Sequence, residues 1–522
     1  MRWVFIRPCN RSPYYDPEIQ EPLGLEYLAA CRRARGDCVL VLDSSLDGLT
    51  DTRLARRAAG FQPDAVGFSI TTAQEITSVL AVHQECVRVL QDKPVRWLAG
   101  GNYVSTEPQR ALRLLPPAFS LVQFEGEQAL EELTRLWAAP AASAVGDGHC
   151  VTERLFTGRA VEDLDSLPFP VRLFSHAILP RGWPFNLQGS RGCCGACRYC
   201  ASPGMSEGHR RWRGRSPEGL AEEIDHLYRS LGARSFNFVD EDFLGPGHLA
   251  PLRARRFAEE LQRRNLRISF GIQVRPASLC EETISLLTSA GLTYVFMGIE
   301  SDNPDDFRRW GRPWTDDPWR LVAHVRQGGA EINAGVLLFH SHATLSGIRR
   351  FAGQLHEHRL LDFRSATNRL DAMPGSEFHA LELAAGRIDA ETSGPQPLPY
   401  VHAEVEALHR DLLAALEPIG PPSMHAVCSW PPLLARWRLD PRMEPARREL
   451  TGIIHRLDDH VAETLFLLLD LYEGRTGLAP SVQELRQRSL EVAIEGARDL
   501  ARKGFASSFE QLREAIRIDS GL

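Results

Sequence analysis

Cys193, Cys197 and Cys200 stand at C-x3-C-x2-C spacing in the run GSRGCCGACRYCASPGM, Gly189 to Met205. The run follows a predicted strand, Pro184 to Gln188, so one loop offers three thiolates to a single inorganic centre. Iron–sulfur clusters normally take four cysteines; a cubane held by three keeps one iron open to a substrate or a second cofactor. A structural zinc knuckle is the competing reading. Zinc sites usually close with four Cys or His ligands in paired spacing, and no second pair follows nearby. Cys194 is a spare thiol beside the first ligand, and counting from it gives C-x2-C-x2-C.

Other reactive or ligand-binding side chains stand where predicted strands end. Asp240, Glu241 and Asp242 follow the strand Ser235 to Val239; three adjacent acids are more often a solvated turn, but these end an apolar run. Gln273 and Arg275 close the strand Ile268 to Val274, GIES (Gly298 to Ser301) closes Tyr294 to Ile299, and His340 and His342 follow Ile332 to Phe339. Near the N-terminus, Ser69, Thr71 and Thr72 follow a third strand, Gly100, Gly101 and Asn102 a fourth, and Glu125, Gly126 and Glu127 a fifth. Adjacent glycines let backbone approach a bulky ligand, or simply turn tightly.

Such residues need a scaffold that gathers strand ends. From Met1 to about Trp137, strands at Trp3–Ile6, Val39–Leu42, Ala65–Ile70, Arg96–Ala99 and Leu121–Phe124 alternate with helical segments, which predicts a parallel, doubly wound sheet. Ligands of such sheets bind at the carboxyl ends of the strands. Ala138 to Val161 is rich in Ala and Gly and reads as a linker; Glu162 to Phe174 leads onward without assigned chemistry. From Pro184, six strands, the last at Phe363–Leu370, alternate with helices. Ser216 is a good N-cap for one of them, with Pro217 at its first position. This pattern predicts a (βα)6 partial barrel with its chemistry at the strands' carboxyl ends. Leu412–Glu417, Ile453–Leu471 and Val482–Ala501 have helical spacing.

At the cysteine loop the chain resembles the radical SAM superfamily, with Tyr199 at the aromatic position usual before the last cysteine. The resemblance implies a [4Fe-4S] cluster on Cys193, Cys197 and Cys200 whose open iron chelates S-adenosylmethionine (SAM). VDEDF resembles the family's F-x-D-D-x-F element. That match carries over Phe238, Asp240, Glu241 and Phe243, and gives Glu241 the SAM ammonium, a donor suited to a carboxylate. By position Gln273 and Arg275 belong to the same site, Arg275 facing the SAM carboxylate or a neighbouring acid. Gly298, Glu300 and Ser301 match the element near the ribose. The runs PLGLEYLAACRRARG, GFSITT, GGNYVST and FEGEQAL, in this order, resemble the cobalamin-binding domain of one large radical SAM subfamily. They imply cobalamin contacts at Ser69, Thr71, Thr72, Gly100, Gly101, Asn102, Glu125 and Gly126.

The chain also departs from the pattern. It has no D-x-H-x-x-G, the element that elsewhere brings a histidine to cobalt; the resembling subfamily often lacks it too, which implies cobalamin bound with its own base displaced and its lower face free of histidine. Arg7, Cys9, Asn10, Arg11 and Tyr14 of the first loop are the candidates to lie there. Asn102 stands where relatives often have histidine. INAGVLLFHSHAT lacks the usual glycine–proline–glycine turn and puts His340 and His342 at the barrel mouth. A lone histidine is usually packing or solvation; two near a radical site are candidates for substrate contact.

The resemblance covers residues 1 to 390. It implies an α/β chain: a Rossmann-like, doubly wound cobalamin-binding domain at 1–140, a linker at 141–180, a partial TIM barrel at 181–390 and a mostly helical, substrate-recognising domain at 391–522. It also implies a C-methyltransferase. One SAM methylates cobalt; a second is split to methionine and a 5′-deoxyadenosyl radical, which removes hydrogen from an unactivated carbon that then takes the methyl. Expected partners are a small-molecule or carrier-tethered substrate and an electron donor such as flavodoxin or ferredoxin. A non-methylating cyclase or ring-rearranging enzyme, and a non-enzymatic cobalamin or redox sensor, are the alternatives. Methylation of an antibiotic precursor, an aromatic or pyrrole ring, is the pathway expectation.

Composition bounds the rest. The 522 residues, 43% hydrophobic and 24% charged, carry a net charge of −7, which argues against non-specific nucleic-acid binding. HRRWRGR, His209 to Arg215, interleaves arginine with tryptophan, yet nothing extends the patch, so anchoring the cysteine loop is its expected job. No apolar run approaches the ~20 residues of a membrane span, and eleven cysteines with four in one loop suit a reducing compartment. The cytoplasm is the expected location.

Overall fold

The computed structural model describes residues 1–10, 21–91, 93–138, 154–205, 212–314, 317–419, 441–475 and 480–502. They divide into two compact units, one of Met1–Pro246, Glu259–Leu266 and Ala372–Gln396, the other of Gly247–Ala258, Arg267–Asp371 and Pro397–Leu522.

The first unit begins with six parallel strands, β1 (Arg2–Arg7), β2 (Cys38–Asp43), β3 (Ala65–Ser69), β4 (Arg96–Gly100), β5 (Phe119–Phe124) and β6 (Leu155–Gly158), in the order β2-β1-β3-β4-β5-β6. Successive side chains of a strand face opposite sides, and β1 shows the result. Val4 and Ile6 join a core with Leu54 and Ala58 of the helix Asp51–Gly60 and Val79 and Val82 of Ile76–Leu90. Trp3 and Phe5 join another core, with Leu25 and Ala29 of Leu23–Ala34 and Leu130 and Leu133 of Gly126–Ala138. Both faces are covered, which is why the strands read as continuous apolar runs. β6 falls inside the expected linker. It is four residues long and pairs Leu121↔Leu155 through Phe124↔Gly158. Arg154 secures it by donating to the carbonyls of Leu112, Leu115, Pro116 and Phe119 at 2.7–3.2 Å. Long-range pairing of so short a strand leaves no periodic signal.

Further along this unit, β7 (Phe185–Leu187) pairs in parallel with β10 (Ser235–Phe238). Between them β8 (Ser190–Arg191) and β9 (Arg213–Gly214) form a two-residue antiparallel clasp that flanks the cysteine loop. Ser216 caps the helix Pro217–Ser230, its Oγ accepting from Gly219 N at 3.0 Å.

A buried ionic network joins these parts. Arg172 donates to Glu21 Oε2 at 3.0 Å, to the Asn186 carbonyl at 2.7 Å and to Glu223 Oε1 at 2.7 Å. Arg215 grips the other Glu223 oxygen, Asn186 N donates to Glu21 at 2.8 Å, and Leu173 N donates to Glu26 at 2.7 Å. Three carboxylates against two guanidiniums leave one negative charge over. Burial, together with the nearby Glu21 charge, pushes Glu26 up to about 8, so the surplus is relieved by a proton on Glu26.

In the second unit, β11 (Ser269–Val274), β12 (Leu292–Glu300) and β13 (Glu331–Val336) run parallel, β12 in the middle. The helices Glu281–Ser289, Pro318–Gln327 and Leu345–Glu357 accompany them. The strand expected at Phe363–Leu370 is instead a short helix, Phe363–Thr367, and the parallel pairing shrinks to one bridge, Phe339↔Arg369. The reason is local: Asp362 and Ser365 make a reciprocal capping box, which commits the backbone to a helical turn. Ala403–Leu416, Glu444–Tyr472 and Val482–Arg502 form the helical C-terminal part, burying Leu408, Leu412, Leu457, Leu465, Leu468 and Leu485. No helix among the described residues is long and apolar enough to cross a membrane.

Arg172→Ala takes the cation from Glu21 and leaves Glu223 with Arg215 alone, and removing one member of a buried ion network typically costs about 3–5 kcal/mol; calorimetry should show a large fall in Tm. Glu26 holds its proton more tightly folded than unfolded. Its stabilisation is therefore full below about pH 4.5 and lost as pH rises through about 8. The Tm of wild type relative to Glu26→Gln should fall across that window.

Candidate functional site

The cysteine loop leaves β8 through Gly192, at φ +78°, a conformation glycine adopts without strain. Cys197 is buried, Cys193 and Cys200 are half-buried and Cys194 is exposed. Backbone supports the thiols: Gly195 N points at Cys193 Sγ at 3.2 Å, and Cys200 N donates to the Cys197 carbonyl at 3.2 Å. Among the described residues no three His, Cys, Asp or Glu gather to hold a single metal ion. Three thiols of graded burial on one supported loop suit an iron–sulfur cluster by donor chemistry.

Side chains from three directions hold this loop. At its stems, Arg191 reaches Glu125 at 2.9 Å and Glu127 at 2.6 Å, and Arg213 grips Glu125 while donating to the Val161 carbonyl. Burial works against the Glu125 charge, but hydrogen bonds and charge from Arg213 and Arg191 hold its carboxyl below the usual range. At the acidic end, Asp240 accepts from Gly189 N at 3.0 Å and from the Ser190 hydroxyl, and Glu241 accepts from Gly192 N at 3.2 Å. Trp212 Nε1 donates to the Asp242 carbonyl at 2.8 Å. On the far side, Arg198 pairs with Glu377 at 2.9 Å and its carbonyl accepts from Phe378 N. Gly204 lies so close to Gly375 that a Cβ there would come within 2.5 Å of it. Arg213 and Arg215 of the HRRWRGR run thus serve as inward anchors, and residues 209–211 lie outside the described residues. Tyr199 is half-buried on the loop.

Glu241 keeps part of its surface open to solvent, yet dense protein around its carboxyl raises its pKa against the pull of the Gly192 amide and of Arg191 and Arg213. A carboxylate so placed gains by receiving a cation, the role expected of it towards an ammonium.

The expected cobalamin residues lie at the carboxyl ends of β3, β4 and β5, with different degrees of freedom. Glu75 engages Thr71, accepting from its amide at 2.6 Å and its hydroxyl at 3.1 Å. Asn10 donates to Glu75 at 3.0 Å and to the Thr72 hydroxyl at 3.5 Å. Glu125 is spent on the two arginines. Gly101, at φ +97°, is required by packing, since a Cβ would sit 2.6 Å from the Ile70 carbonyl; at Gly100 it would meet the Val122 carbonyl at 3.2 Å. Ser69, Asn102 and Gly126 stand at the same edge. Small residues along the carboxyl edge of a parallel sheet fit a large planar cofactor. Arg7 is turned to Asp43 and Cys9 N to Ser78; Arg11 and Tyr14 lie outside the described residues.

In the second unit, Gln273 is exposed and Arg275 donates to Ser278 Oγ at 3.1 Å. β12 ends in strain: Glu300 has φ +67°, a left-handed value that non-glycine residues hold only under external constraint. Arg312 supplies part of it, pairing with Glu300 at 3.4 Å and donating to the Gly298 carbonyl at 2.6 Å. Glu300 folds back so far that a Cβ on Gly298 would lie 2.5 Å from Oε1. It also lines a cavity of about 200 Å³ with Phe296, Leu337, Arg364, Ser365 and Asn368. Ser301 donates to Asp306 Oδ2 at 2.8 Å and accepts from Asn303 N at 3.1 Å, so its hydroxyl hydrogen is already committed. His340 is buried, its Nε2 3.4 Å from the same Asp306 oxygen and its ring edge-on to Trp310. His342 is exposed as a residue, yet its ring is partly shielded, and that shielding, with Arg309 and His340 nearby, lowers its pKa. Sequence reasoning missed Asp306, which joins Ser301 to His340; the available signal was the Asn303–Pro304 helix start that places it. It also missed Arg172, Arg191 and Arg312, because the residues flanking an arginine do not mark its partners.

Two family descriptions match: B12 binding domain at residues 17–134 and Radical SAM superfamily at residues 187–349. An uncharacterized methyltransferase of Pyrococcus horikoshii is 28% identical over 302 residues, 54% of this chain and 61% of that protein. The anaerobic magnesium-protoporphyrin IX monomethyl ester cyclase of Synechocystis is 26% identical over 304 residues, 54% of this chain and 57% of that protein. This chain therefore spans less than two thirds of either relative. Among solved structures, the cobalamin-dependent SAM radical enzyme OxsB with aqua-cobalamin bound matches with a TM-score of 0.71 at 16% identity, covering 100% of this chain and 81% of that one. At that identity the likeness is one of fold. The two matched domains imply cobalamin, SAM and a [4Fe-4S] cluster as cofactors.

Glu241→Ala should weaken SAM binding by about 10- to 100-fold, the worth of one charge-assisted hydrogen bond, with iron content unchanged. Equilibrium dialysis of the reconstituted protein reads the first and a colorimetric iron assay the second.

Proposed function

We propose, for a chain that joins a B12-binding domain to a radical SAM domain and so belongs to the cobalamin-dependent radical SAM enzymes, that its activity is transfer of a methyl group from SAM to an unactivated carbon of a small molecule. The observation that carries this reading is the mounting of the cysteine loop on the carboxyl end of the B12-binding sheet through Glu125 and Glu127. Cluster and cobalamin edge thereby share one compact unit. The relative named a methyltransferase supports the same reading.

When bound, the cofactors supply methyl transfer and one-electron cleavage of SAM, which is chemistry of theirs and not of side chains. The chain's part is to bind and orient. Cys193, Cys197 and Cys200 would hold the cluster, and Glu241 would receive the SAM ammonium. Backbone at Gly100, Gly101 and Gly126, with Ser69 and Asn102, lines the cobalamin edge. Fixed placement converts encounters into unimolecular steps, and no side-chain base is required. His340, tied to Asp306, is a packing and orienting residue; His342, exposed and biased to neutrality, is the better substrate contact. The substrate is a precursor in antibiotic biosynthesis, free or carrier-tethered, with flavodoxin or ferredoxin as electron donor. The relative named a cyclase favours the second reading, a non-methylating enzyme on the same scaffold.

Protein reconstituted anaerobically with iron, sulfide and hydroxocobalamin, then given SAM and a low-potential reductant, should form both S-adenosylhomocysteine and 5′-deoxyadenosine by mass spectrometry. Cys197→Ala should abolish the 5′-deoxyadenosine. Deoxyadenosine without S-adenosylhomocysteine would replace methylation by the second reading.

A further inference from the structure

Glu125 stands just past β5, on the B12-binding sheet, yet its side chain turns to the cysteine loop. Oε2 accepts from Val161 N at 2.7 Å, pairs with Arg191 at 2.9 Å and takes Arg213 Nη1 at 3.2 Å; Oε1 takes the other Arg213 nitrogen. Four donors thus converge on one carboxylate, three of them on Oε2. Arg191 is two residues before Cys193, and Arg213 pairs with it across the β8–β9 clasp. One anion therefore bridges both stems of the loop. The side chains involved are only 7–13% exposed, so solvent screens their charges little.

We infer that Glu125 is a positioning residue for the iron–sulfur loop, fastening both stems to the B12-binding sheet, and that its charge helps set the reduction potential of the cluster. The reduction potential of such a cluster responds to the net charge around it. An anion nearby opposes arrival of an electron, and a cation favours it. Because Glu125 and Arg213 act from the same spot with opposite sign, neutralising them must move the potential in opposite directions. A general loosening of the loop would not do so.

The inference rests on Cys193, Cys197 and Cys200 holding the cluster, which iron and sulfide content of the wild type tests separately. Wild type, Glu125→Gln, Arg213→Gln and the double variant, each reconstituted as the full chain, are titrated redox-potentiometrically with EPR detection in the absence of SAM. Hydroxocobalamin binding is followed by absorbance. A positive shift for E125Q, a negative shift for R213Q and a return towards wild type in the double variant are expected, with cobalamin affinity within about twofold throughout. Should one single variant fail to fold, the other and the double variant carry the same comparison of sign. Unchanged potentials, shifts of one sign, or a loss of about tenfold or more in cobalamin affinity by E125Q would overturn the inference, the last making Glu125 a cobalamin contact instead.

Discussion

The Arg172 guanidinium, withdrawn from water among Glu21, Glu223 and the Asn186 carbonyl, is the constraint on which the first unit depends. Its partners come from the loop before the first helix, from β7 and from the helix after the clasp, so three stretches distant in sequence are tied at one point. A buried charge is tolerable only when it is paired and hydrogen-bonded. The tie therefore imposes geometry: any shift of the B12-binding sheet against β7 would strand an ion. Apolar packing alone tolerates sliding far better, since it lacks direction.

A second ionic layer repeats the logic nearer the chemistry. Arg215 shares Glu223 with Arg172, while Arg191 and Arg213 share Glu125. The cysteine loop is thus held by the same kind of directional contact at both stems. In the other unit the analogous device is Asp306, which serves Ser301 and His340 with one oxygen. Acid–guanidinium or acid–imidazole pairs thus recur at the ends of β5, β8 and β12.

The parts of this architecture that were legible in the sequence are those written locally. The cysteine spacing, the Ser216–Pro217 helix start and the continuous apolar strands β1 and β3–β5 are short-range patterns, and their elements lie where expected. β6 was illegible because its four residues are specified by a partner some thirty positions upstream, not by periodicity. The reverse happened at Phe363–Leu370, which read as the last strand of an alternating series while Asp362 and Ser365 specify a cap. The arginine hubs were invisible for a related reason: nothing near Arg172 or Arg191 in the chain reveals which acid waits for it. Thr71, Thr72 and Glu125 lie at the expected edge, and only the structure shows that other residues already occupy them.

The β8–β9 clasp has a consequence for assembly. Closing a loop carries an entropic penalty that grows slowly with its length, and pairing of Ser190–Arg191 with Arg213–Gly214 offsets it at the stems of the cysteine loop. Thiols carried on a loop whose stems are closed are confined to a small volume, so after a first bond to any shared centre each further one would form at raised effective concentration.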